Sequence, residues 1–340
     1  MYGNYFLGNG SFEVREIPER ELLKDEVLVK VAACGICGTD VHIFHGDKGS
    51  AEVNPPVILG HELSGTVEQT GRGVTSVRVG DHVTVDPNIY CGKCHYCKIG
   101  KKQQCTGLEA IGVTMNGGFA DYCYVPETQC HVLPPQVSLR AGAMAEPLAC
   151  CLHGTDLAGI RAGDSVCVIG GGAIGLMMVQ LAKLSGAASV ILSEPVEMRR
   201  KIGLDVGADY AVDPLDKPIG KQIEDILSAK GADVVIECAG NTAATKQAFE
   251  AADDGGTVLL FSVPKAGSSY SLSLEQVFQK ELKIIGSRIN PDTHGRAVAL
   301  INSGKVSFDK LITHSYKIGQ LREAIIKQTE NDSIKVVIEP

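Results

Sequence analysis

The chain has 340 residues, 44% of them hydrophobic, and its 32 basic and 40 acidic side chains give a formal net charge of −8. This length predicts two domains, and the composition is that of an ordinary folded chain, which excludes wholesale disorder. The acidic balance argues against binding to nucleic acid or to anionic membranes, because both require a concentrated basic surface.

No export signal or membrane span is recognisable. Residues 1–10 contain neither a basic segment nor an apolar one. Residues 165–182 are the most apolar stretch, but three successive glycines interrupt it, which favours a strand, a turn and a helix over a membrane span. We therefore expect a cytoplasmic protein, in which the clustered ones among its twelve cysteines indicate metal binding or catalysis rather than disulfides.

The first 150 residues are predicted to be rich in strands. Short β-branched or alternating runs, separated by glycine and proline turns, occur at 27–31, 65–68 and 81–85. From about residue 151, strands alternate with helices. The strands of this part are predicted at 166–169, 189–192, 233–237 and 257–261, and the helices at 173–185 and 197–203.

Alternating strands and helices predict βαβ units around a parallel sheet. A last strand is predicted at 335–338. The sequence therefore predicts an α/β protein with two domains. An α/β nucleotide-binding domain (residues 151–285) is inserted between the two parts of a β-rich domain (residues 1–150 and 286–340).

A glycine-rich turn follows the first strand of the α/β part. Gly170, Gly172 and Gly175 fit the pattern G-x-G-x-x-G, and Ala173 and Ile174 complete the motif at the start of a predicted helix. The first glycine permits the tight turn, the second allows a pyrophosphate to approach the backbone, and the third lets the helix pack on the strand. The helix N-terminus then offers free N–H groups to the phosphates. A glycine turn that binds nothing is the alternative.

A carboxylate and two arginines follow the second strand of this part. Glu194 lies 19 residues after Gly175, where a carboxylate accepts hydrogen bonds from the adenosine ribose and repels a 2′-phosphate. This favours NAD over NADP. Arg199 and Arg200 lie close by and weaken that preference, and Arg199 is itself a candidate cofactor-binding residue.

Four cysteines have the spacing of a closed metal site. Cys91, Cys94, Cys97 and Cys105 form C-x2-C-x2-C-x7-C. Four thiolates can complete a tetrahedron around one Zn²⁺ and leave no position for a substrate, which is typical of a structural zinc site. An iron–sulfur cluster or four unrelated cysteines are the alternatives.

A second, dispersed group also contains metal-binding side chains. Cys37, His61 and a carboxylate would supply sulfur, nitrogen and oxygen ligands while leaving room for water or substrate, as a catalytic zinc requires. Spacing alone does not establish this site, since a single buried histidine is more often structural.

These motifs together resemble those of zinc-dependent medium-chain alcohol dehydrogenases, in the polyol branch that includes sorbitol, threonine and sugar-acid dehydrogenases. The similarity runs almost from end to end. It includes the segments at 35–40, 60–62, 117–122, 146–148 and 335–338, besides the cysteine lobe and the glycine turn. The resemblance implies a β-rich, GroES-like catalytic domain and a Rossmann domain with a doubly wound parallel sheet.

The resemblance also assigns the ligands of a catalytic zinc. Cys37 and His61 match the family's ligands, and Glu62 matches the usual third ligand of sorbitol-type enzymes. Glu146 stands where alcohol dehydrogenases proper have a second cysteine, which favours the polyol branch. Whether Glu62 or Glu146 binds zinc directly or through water stays open. Asp40 matches the carboxylate that orients the ligand histidine.

The implied mechanism assigns a proton relay. Zinc lowers the pKa of the substrate hydroxyl so that hydride can leave for the nicotinamide. Thr39 takes the hydroxyl proton and passes it through the nicotinamide ribose to His42 and solvent. Glu146 counts among the catalytic candidates as well as the zinc ligands. Phe44, His45 and Arg288 are candidate substrate contacts, since the fork of Arg288 suits a carboxylate or several hydroxyls.

The sequence thus predicts an oxidoreductase with two Zn²⁺ per chain, one catalytic and one structural, that transfers hydride from a secondary alcohol of a polyol, sugar acid or related compound to NAD. A threonine-type amino-alcohol dehydrogenase is the alternative within the same family. A non-catalytic zinc- and nucleotide-binding scaffold is the remote alternative. A homodimer or homotetramer is also expected, with the strand-like residues 270–274 contributing to the contact.

Overall fold

The structure is a computed structural model and describes residues 1–47 and 52–340. It has two compact units, one made of Met1–Ala149 and Asn290–Pro340 and the other of Cys150–Ile289. The chain leaves the second unit a few residues later than the sequence predicted. The reason is local: the last strand of that unit pairs as far as Gly286, and Ser287 N still donates to Leu260 O.

The first part of the chain is built mainly from short strands. Its regular elements in chain order are β1 (Tyr2–Gly8), β2 (Ser11–Glu16), β3 (Glu26–Gly35), α1 (Gly38–Phe44), β4 (Val57–Ile58), β5 (Glu62–Thr70), β6 (His82–Val85), β7 (Asn88–Ile89), α2 (His95–Lys98), β8 (Glu109–Ala110), β9 (Tyr122–Pro126), β10 (Cys130–Val132) and α3 (Leu139–Ala143).

Strands and helices then alternate, as predicted. The elements are α4 (Ala145–Ala158), β11 (Ser165–Ile169), α5 (Ala173–Leu184), β12 (Ser189–Ser193), α6 (Glu197–Asp205), β13 (Tyr210–Val212), α7 (Ile219–Leu227), β14 (Ala232–Glu237), α8 (Thr242–Ala251), β15 (Ala252–Leu260), α9 (Leu274–Lys280) and β16 (Lys283–Gly286).

The closing segment returns to the first unit. Its elements are α10 (His294–Asn302), β17 (Ile312–Tyr316), α11 (Leu321–Gln328) and β18 (Lys335–Ile338). Strand β18 pairs with β17 on one side and with β3 on the other, in the sheet order β10-β6-β5-β3-β18-β17, and β9 also pairs with β3. Gly35 of β3 lies opposite Glu62 of β5 and opposite Val337 of β18. This register brings three distant segments together at one end of β3.

The second unit contains a six-stranded sheet in which all strands are parallel, in the order β13-β12-β11-β14-β15-β16. Numbered from its own first strand, this order is 3-2-1-4-5-6, that of the Rossmann fold. The order reverses between β11 and β14, where such sheets bind their ligands beyond the carboxyl ends of the strands. The predicted strands and helices of this unit are confirmed, and the glycine turn follows β11.

One predicted strand is wrong. Residues 270–274 are not a strand: the described chain has no regular element between β15 and α9, and Ser273 begins α9 by accepting a hydrogen bond from Gln276 N at 3.2 Å. Two of the alternating apolar residues, Tyr270 and Leu272, do pack inward, and the ring of Tyr270 stacks on Phe249 with centroids 5.5 Å apart. They have no strand partner, and periodicity alone does not distinguish these cases.

Within the described ranges, no helix combines the length and apolarity that crossing a membrane requires.

A buried histidine of the first unit, His294, packs against the half-buried His131 and is expected to make the stability of that unit depend on pH. The rings of His131 and His294 lie 4.7 Å apart, and burial lowers the pKa of His294 to about 3, with a further contribution from His131. Folded His294 is therefore neutral at pH values where the unfolded chain binds a proton, so stability is lost as pH falls from about 6.5 towards 3.

We expect His294→Gln to lose less stability than the wild type as pH falls. The difference in the free energy of unfolding lost should reach up to ~4 kcal/mol towards pH 3. Urea unfolding at pH 7 and pH 5 measures it. His82→Gln serves as a control, because His82 is a histidine of the same unit, on β6, and is only partly buried. An unchanged pH slope in His294→Gln would contradict the prediction.

Candidate active site

Cys37 lies where β3 gives way to the short helix α1. It is the residue that begins this helix, and its backbone N–H donates to Asp40 Oδ2 at 2.8 Å. Asp40 is fully buried in the first turn, where a carboxylate interacts favourably with the free N–H groups of the helix. The local fold therefore fixes both the thiol and the carboxylate.

His61 and Glu62 reach the same place from β5. Glu62 begins this strand directly opposite Gly35, two residues before Cys37. One ligand atom each of Cys37, His61 and Glu62 lies within 4.8 Å of the others, and both His61 and Glu62 are buried. A thiolate, an imidazole and a carboxylate at this separation match the mixed donor set that catalytic zinc uses.

Asp40 faces the imidazole of His61. Asp40 Oδ1 lies 3.8 Å from His61 Nδ1, and neither atom has a hydrogen-bond partner among residues 1–47 and 52–340. Burial raises the pKa of Asp40 to about 6, while the nearby His61 opposes this rise. A carboxylate at Nδ1 orients a histidine whose Nε2 binds metal. The donor set and its buried neighbour therefore fit zinc.

Glu146 lies at the start of α4 and is buried, but it is not in the group of three side chains whose ligand atoms gather within 4.8 Å. Its charge still reaches the group, since it helps to raise the pKa of both His61 and Lys335. Glu146 thus borders the candidate metal centre, and its direct binding to zinc stays a prediction.

Lys335 is a member of this cluster that the sequence analysis treated only as part of a closing strand. It is 3% exposed, its Nζ forms an ion pair with Glu62 Oε2, and it donates to Ile36 O at 2.9 Å. Burial alone would lower the pKa of Lys335, but Glu62 and Cys37 raise it. A lysine among strand residues carries no local signal of this role; only the pairing of β18 with β3 reveals it.

The proposed relay residues lie on α1. Thr39 is buried one residue after the helix begins, and His42 follows three residues later, so both lie on one face of the helix. His42 Nδ1 lies 3.4 Å from Asp47 Oδ2, which leaves Nε2 directed away from this contact.

The three candidate substrate residues lie in different surroundings. The ring of Phe44 stacks on that of Phe12 at 6.1 Å, so it packs against the strand β2. His45 is exposed and lies edge-on to Phe44 at 5.1 Å. Arg288 is exposed shortly after β16. Substrate contact by these residues stays a prediction.

The four cysteines of the loop between β7 and β8 converge. One sulfur each of Cys91, Cys94, Cys97 and Cys105 lies within 4.8 Å of the others. Backbone N–H groups point at the sulfurs, and those of Cys97 and Thr106 lower the pKa of Cys94 to about 5. Such N–H groups stabilise thiolates, so this loop fits a closed structural zinc site.

We expect Cys94→Ser to lose one zinc per chain and to lower the free energy of unfolding by ~3 kcal/mol, because the loop then lacks its cross-link. Metal analysis and urea unfolding measure this. Cys123→Ser, at a buried cysteine outside both groups, should retain both metals. Full zinc content in Cys94→Ser would contradict the structural site.

The glycine turn after β11 has the close contacts that its motif predicts. A Cβ on Gly175 would lie 1.8 Å from Gly170 O, whereas a Cβ on Gly172 would meet nothing within 4 Å. Gly172 also begins the twelve-residue helix α5 without a side chain to cap it. The turn is therefore tightly packed behind and open at the helix N-terminus, as a bound pyrophosphate requires.

Glu194 holds this turn. Its Oε2 accepts from Gly171 N at 2.6 Å and its Oε1 from Val196 N at 2.8 Å. The sequence predicted that Glu194 contacts the ribose, but it did not predict the hydrogen bond between Glu194 and Gly171 N. Each carboxylate oxygen can accept a second bond, so the ribose contact stays a prediction.

The two arginines after β12 are placed differently. Arg200 Nη1 donates to Glu194 O and Pro195 O, each at 2.7 Å, and pairs with Asp213 at 3.0 Å. It therefore braces the turn after β12. Arg199, on the same helix α6, is partly buried.

Comparisons with known proteins agree with this geometry. Residues 23–135 match the family model for an alcohol dehydrogenase GroES-like domain, and residues 173–303 match that for a zinc-binding dehydrogenase. The chain is 37% identical to a sorbitol dehydrogenase of Halalkalibacterium halodurans, over 98% of this chain and 97% of the relative.

Two further similarities bear on substrate and cofactor. An L-threonine 3-dehydrogenase of Pyrococcus furiosus is 38% identical over 86% of this chain and 84% of its own length. A crystal structure of a zinc-binding dehydrogenase from Sinorhizobium meliloti, bound to NADP, superposes with a TM-score of 0.94 at 40% identity. It covers 100% of this chain and 99% of the other.

Proposed function

This chain belongs to the zinc-dependent medium-chain alcohol dehydrogenases, in the polyol branch, and on that premise we propose that Cys37, His61 and Glu62 hold its catalytic zinc. The chain is an oxidoreductase that transfers hydride from a secondary alcohol of a polyol, sugar acid or related compound to NAD. The observation that carries the site assignment is the group of S, N and O donors within 4.8 Å of one another, of which the N and O donors are buried.

The chain's own residues then handle binding and the proton. Bound zinc supplies a Lewis acid that makes the substrate hydroxyl more acidic. We assign Thr39 Oγ1 to accept the proton of the substrate hydroxyl as it releases its own towards His42. His42 Nε2 would pass a proton to solvent while Asp47 orients the ring through Nδ1. NAD⁺ held at the glycine turn would supply the hydride acceptor, so that one alcohol and one NAD⁺ would yield one carbonyl compound, one NADH and one proton.

In the cofactor site, Gly170, Gly172 and Gly175 shape the pyrophosphate turn, and the N-terminal residues of α5, Ala173 and Ile174, provide N–H groups. We assign Glu194 to the adenosine ribose. Its burial and its bonds to the turn place a fixed negative charge there, which disfavours a 2′-phosphate. Arg199 is the side chain that would oppose this preference. Kd values for NADH and NADPH, measured by fluorescence titration, test the assignment.

A substrate screen distinguishes the polyol assignment from the threonine one. NAD reduction is followed with sorbitol and other polyols, aldonates and L-threonine, and repeated with NADP. We expect kcat/KM to be highest for a polyol or sugar acid with NAD. A higher kcat/KM for L-threonine would replace this assignment with the amino-alcohol one. Arg288→Ala, Phe44→Ala and His45→Ala should raise KM if these residues contact substrate.

We also propose that the chain forms a homodimer or homotetramer through the edge of the parallel sheet. Among the residues that the structure describes, strand β16 is the last in that sheet, and Leu274 and Phe278 of the preceding helix are 84% and 81% exposed. Exposed apolar side chains of this size beside a sheet edge favour a protein partner. Light scattering should give at least twice the chain mass, and Phe278→Glu should lower it; a monomeric wild type would exclude the contact.

Cytoplasmic location is part of the same proposal. None of the twelve cysteines, all of which the structure describes, forms a disulfide. Four of them form one group with metal-ligand geometry, and Cys37 belongs to a second group with His61 and Glu62. Such thiols persist in a reducing compartment. The net charge of −8 supports a small-molecule substrate and a nucleotide cofactor as partners, rather than nucleic acid or a membrane surface.

A further inference from the structure

The candidate metal centre gathers more negative than positive groups. The side chains of Cys37, Asp40, Glu62 and Glu146 are anionic when they serve zinc, and all but Cys37 are buried. Before a metal binds, such groups repel one another and lack water to stabilise them. Some positive charge must offset them if the donors are to be assembled in advance.

Lys335 is the cation placed to do so. Its ammonium contacts Glu62 Oε2 and is anchored from behind by Ile36 O at 2.9 Å. Its charge is also felt by Asp40 and Glu146.

The ion pair between Lys335 and Glu62 occupies the space that a side chain at Gly35 would need. A Cβ on Gly35 would lie 2.1 Å from Glu62 Oε2 and 2.8 Å from Lys335 Cε. Gly35 pairs with both strands that carry the two side chains. Three segments, distant in sequence, therefore combine to bury one lysine against one candidate ligand.

We propose that Lys335 is a positioning residue of the metal centre, which holds Glu62 among the zinc donors before zinc binds and offsets the negative charge gathered there. This inference rests on the zinc site proposed above. On this proposal, Lys335 alone offsets the negative charge in the metal-free chain, and zinc adds to it in the loaded chain.

The test is a double-mutant cycle with Glu62→Gln, Lys335→Met and the double variant. Thermal unfolding is measured on protein dialysed against a chelator until one zinc per chain remains, and again after zinc is restored. In the depleted protein each single variant should lower Tm by about 6 °C, because a buried charge is left without its partner. The double variant should lose clearly less than the sum.

Zinc provides the second readout. Because zinc supplies positive charge to Glu62, the difference in Tm between the wild type and Lys335→Met should become smaller when zinc is restored. The chelator should also remove zinc from Lys335→Met more slowly than from the wild type. Lys335→Arg keeps the cation and should show a smaller deficit. Lys30→Met, at an exposed lysine of β3, is the matched control and should change neither readout.

Additive losses in the cycle, or an equal deficit of Lys335→Met in depleted and loaded protein, would overturn the proposal and leave Lys335 as a structural strand residue. If the single variant Lys335→Met does not fold, the double variant is compared with Glu62→Gln instead. A higher Tm for the double variant supports the pairing, and a lower Tm overturns it. If the zinc assignment itself is wrong, the wild-type chain will not bind a second zinc, and this outcome is distinguishable from the two above.

Discussion

Cys37→Ala is expected to abolish alcohol oxidation, with a loss of at least ~10³-fold in kcat/KM, while the variant still binds NADH. Cys37 is the one sulfur in the group of three donors, and its removal leaves His61 and Glu62 as an incomplete site. The glycine turn belongs to a different unit of the chain, so cofactor binding has no reason to change. Steady-state kinetics, NADH fluorescence titration and metal analysis measure the three quantities.

Cys34→Ala is the matched control for this variant. Cys34 precedes Cys37 by three residues and is fully buried, and burial raises the pKa of its thiol, so it stays protonated. A protonated thiol is a poor metal ligand. Cys34→Ala should therefore keep two zinc ions and nearly full activity. Wild-type turnover in Cys37→Ala, or loss of the catalytic zinc from Cys34→Ala instead, would contradict the ligand assignment.

Gly175→Ala is expected to weaken NADH binding by at least ~100-fold and also to destabilise the second unit. The added Cβ would lie 1.8 Å from Gly170 O, a backbone atom, so the turn itself must move. NADH titration and thermal unfolding measure the two effects. Zinc content should stay at two per chain, since both candidate metal sites lie in the first unit.

Gly172→Ala separates packing from cofactor contact. A Cβ there meets no atom within 4 Å, so the fold should keep its stability, while the methyl group would occupy space that a pyrophosphate needs. We therefore expect weaker NADH binding at unchanged Tm. Wild-type NADH affinity in both glycine variants would show that the dinucleotide binds elsewhere.

Much of the fold could be predicted because its signals are local. The strand, turn and helix around Gly170 are specified within about twenty residues, and so is the cysteine lobe, whose ligands lie in a single loop. The chain alternates between strands and helices at the predicted places. The strand expected at 270–274 was wrong because alternation of apolar residues also occurs in an irregular segment that packs inward.

The metal centre could be predicted only in part. Cys37 and His61 were identified through resemblance, since nothing in their spacing alone brings β5 to the start of α1. Lys335 was missed because its position depends on β18 returning to β3 from the far end of the chain. Glu194 was assigned to the ribose, and its bond to Gly171 N is visible only in three dimensions.

The metal dependence of turnover can be measured on the wild-type chain by titration. Protein depleted to one metal per chain receives Co²⁺ in steps, while visible absorption from cobalt–thiolate bonding and the rate of NAD reduction by the best polyol are recorded together. We expect both signals to rise in proportion and to reach a plateau after one added equivalent. Full activity before any cobalt is added, or cobalt binding without a gain in rate, would contradict catalysis by a metal held at Cys37 and His61.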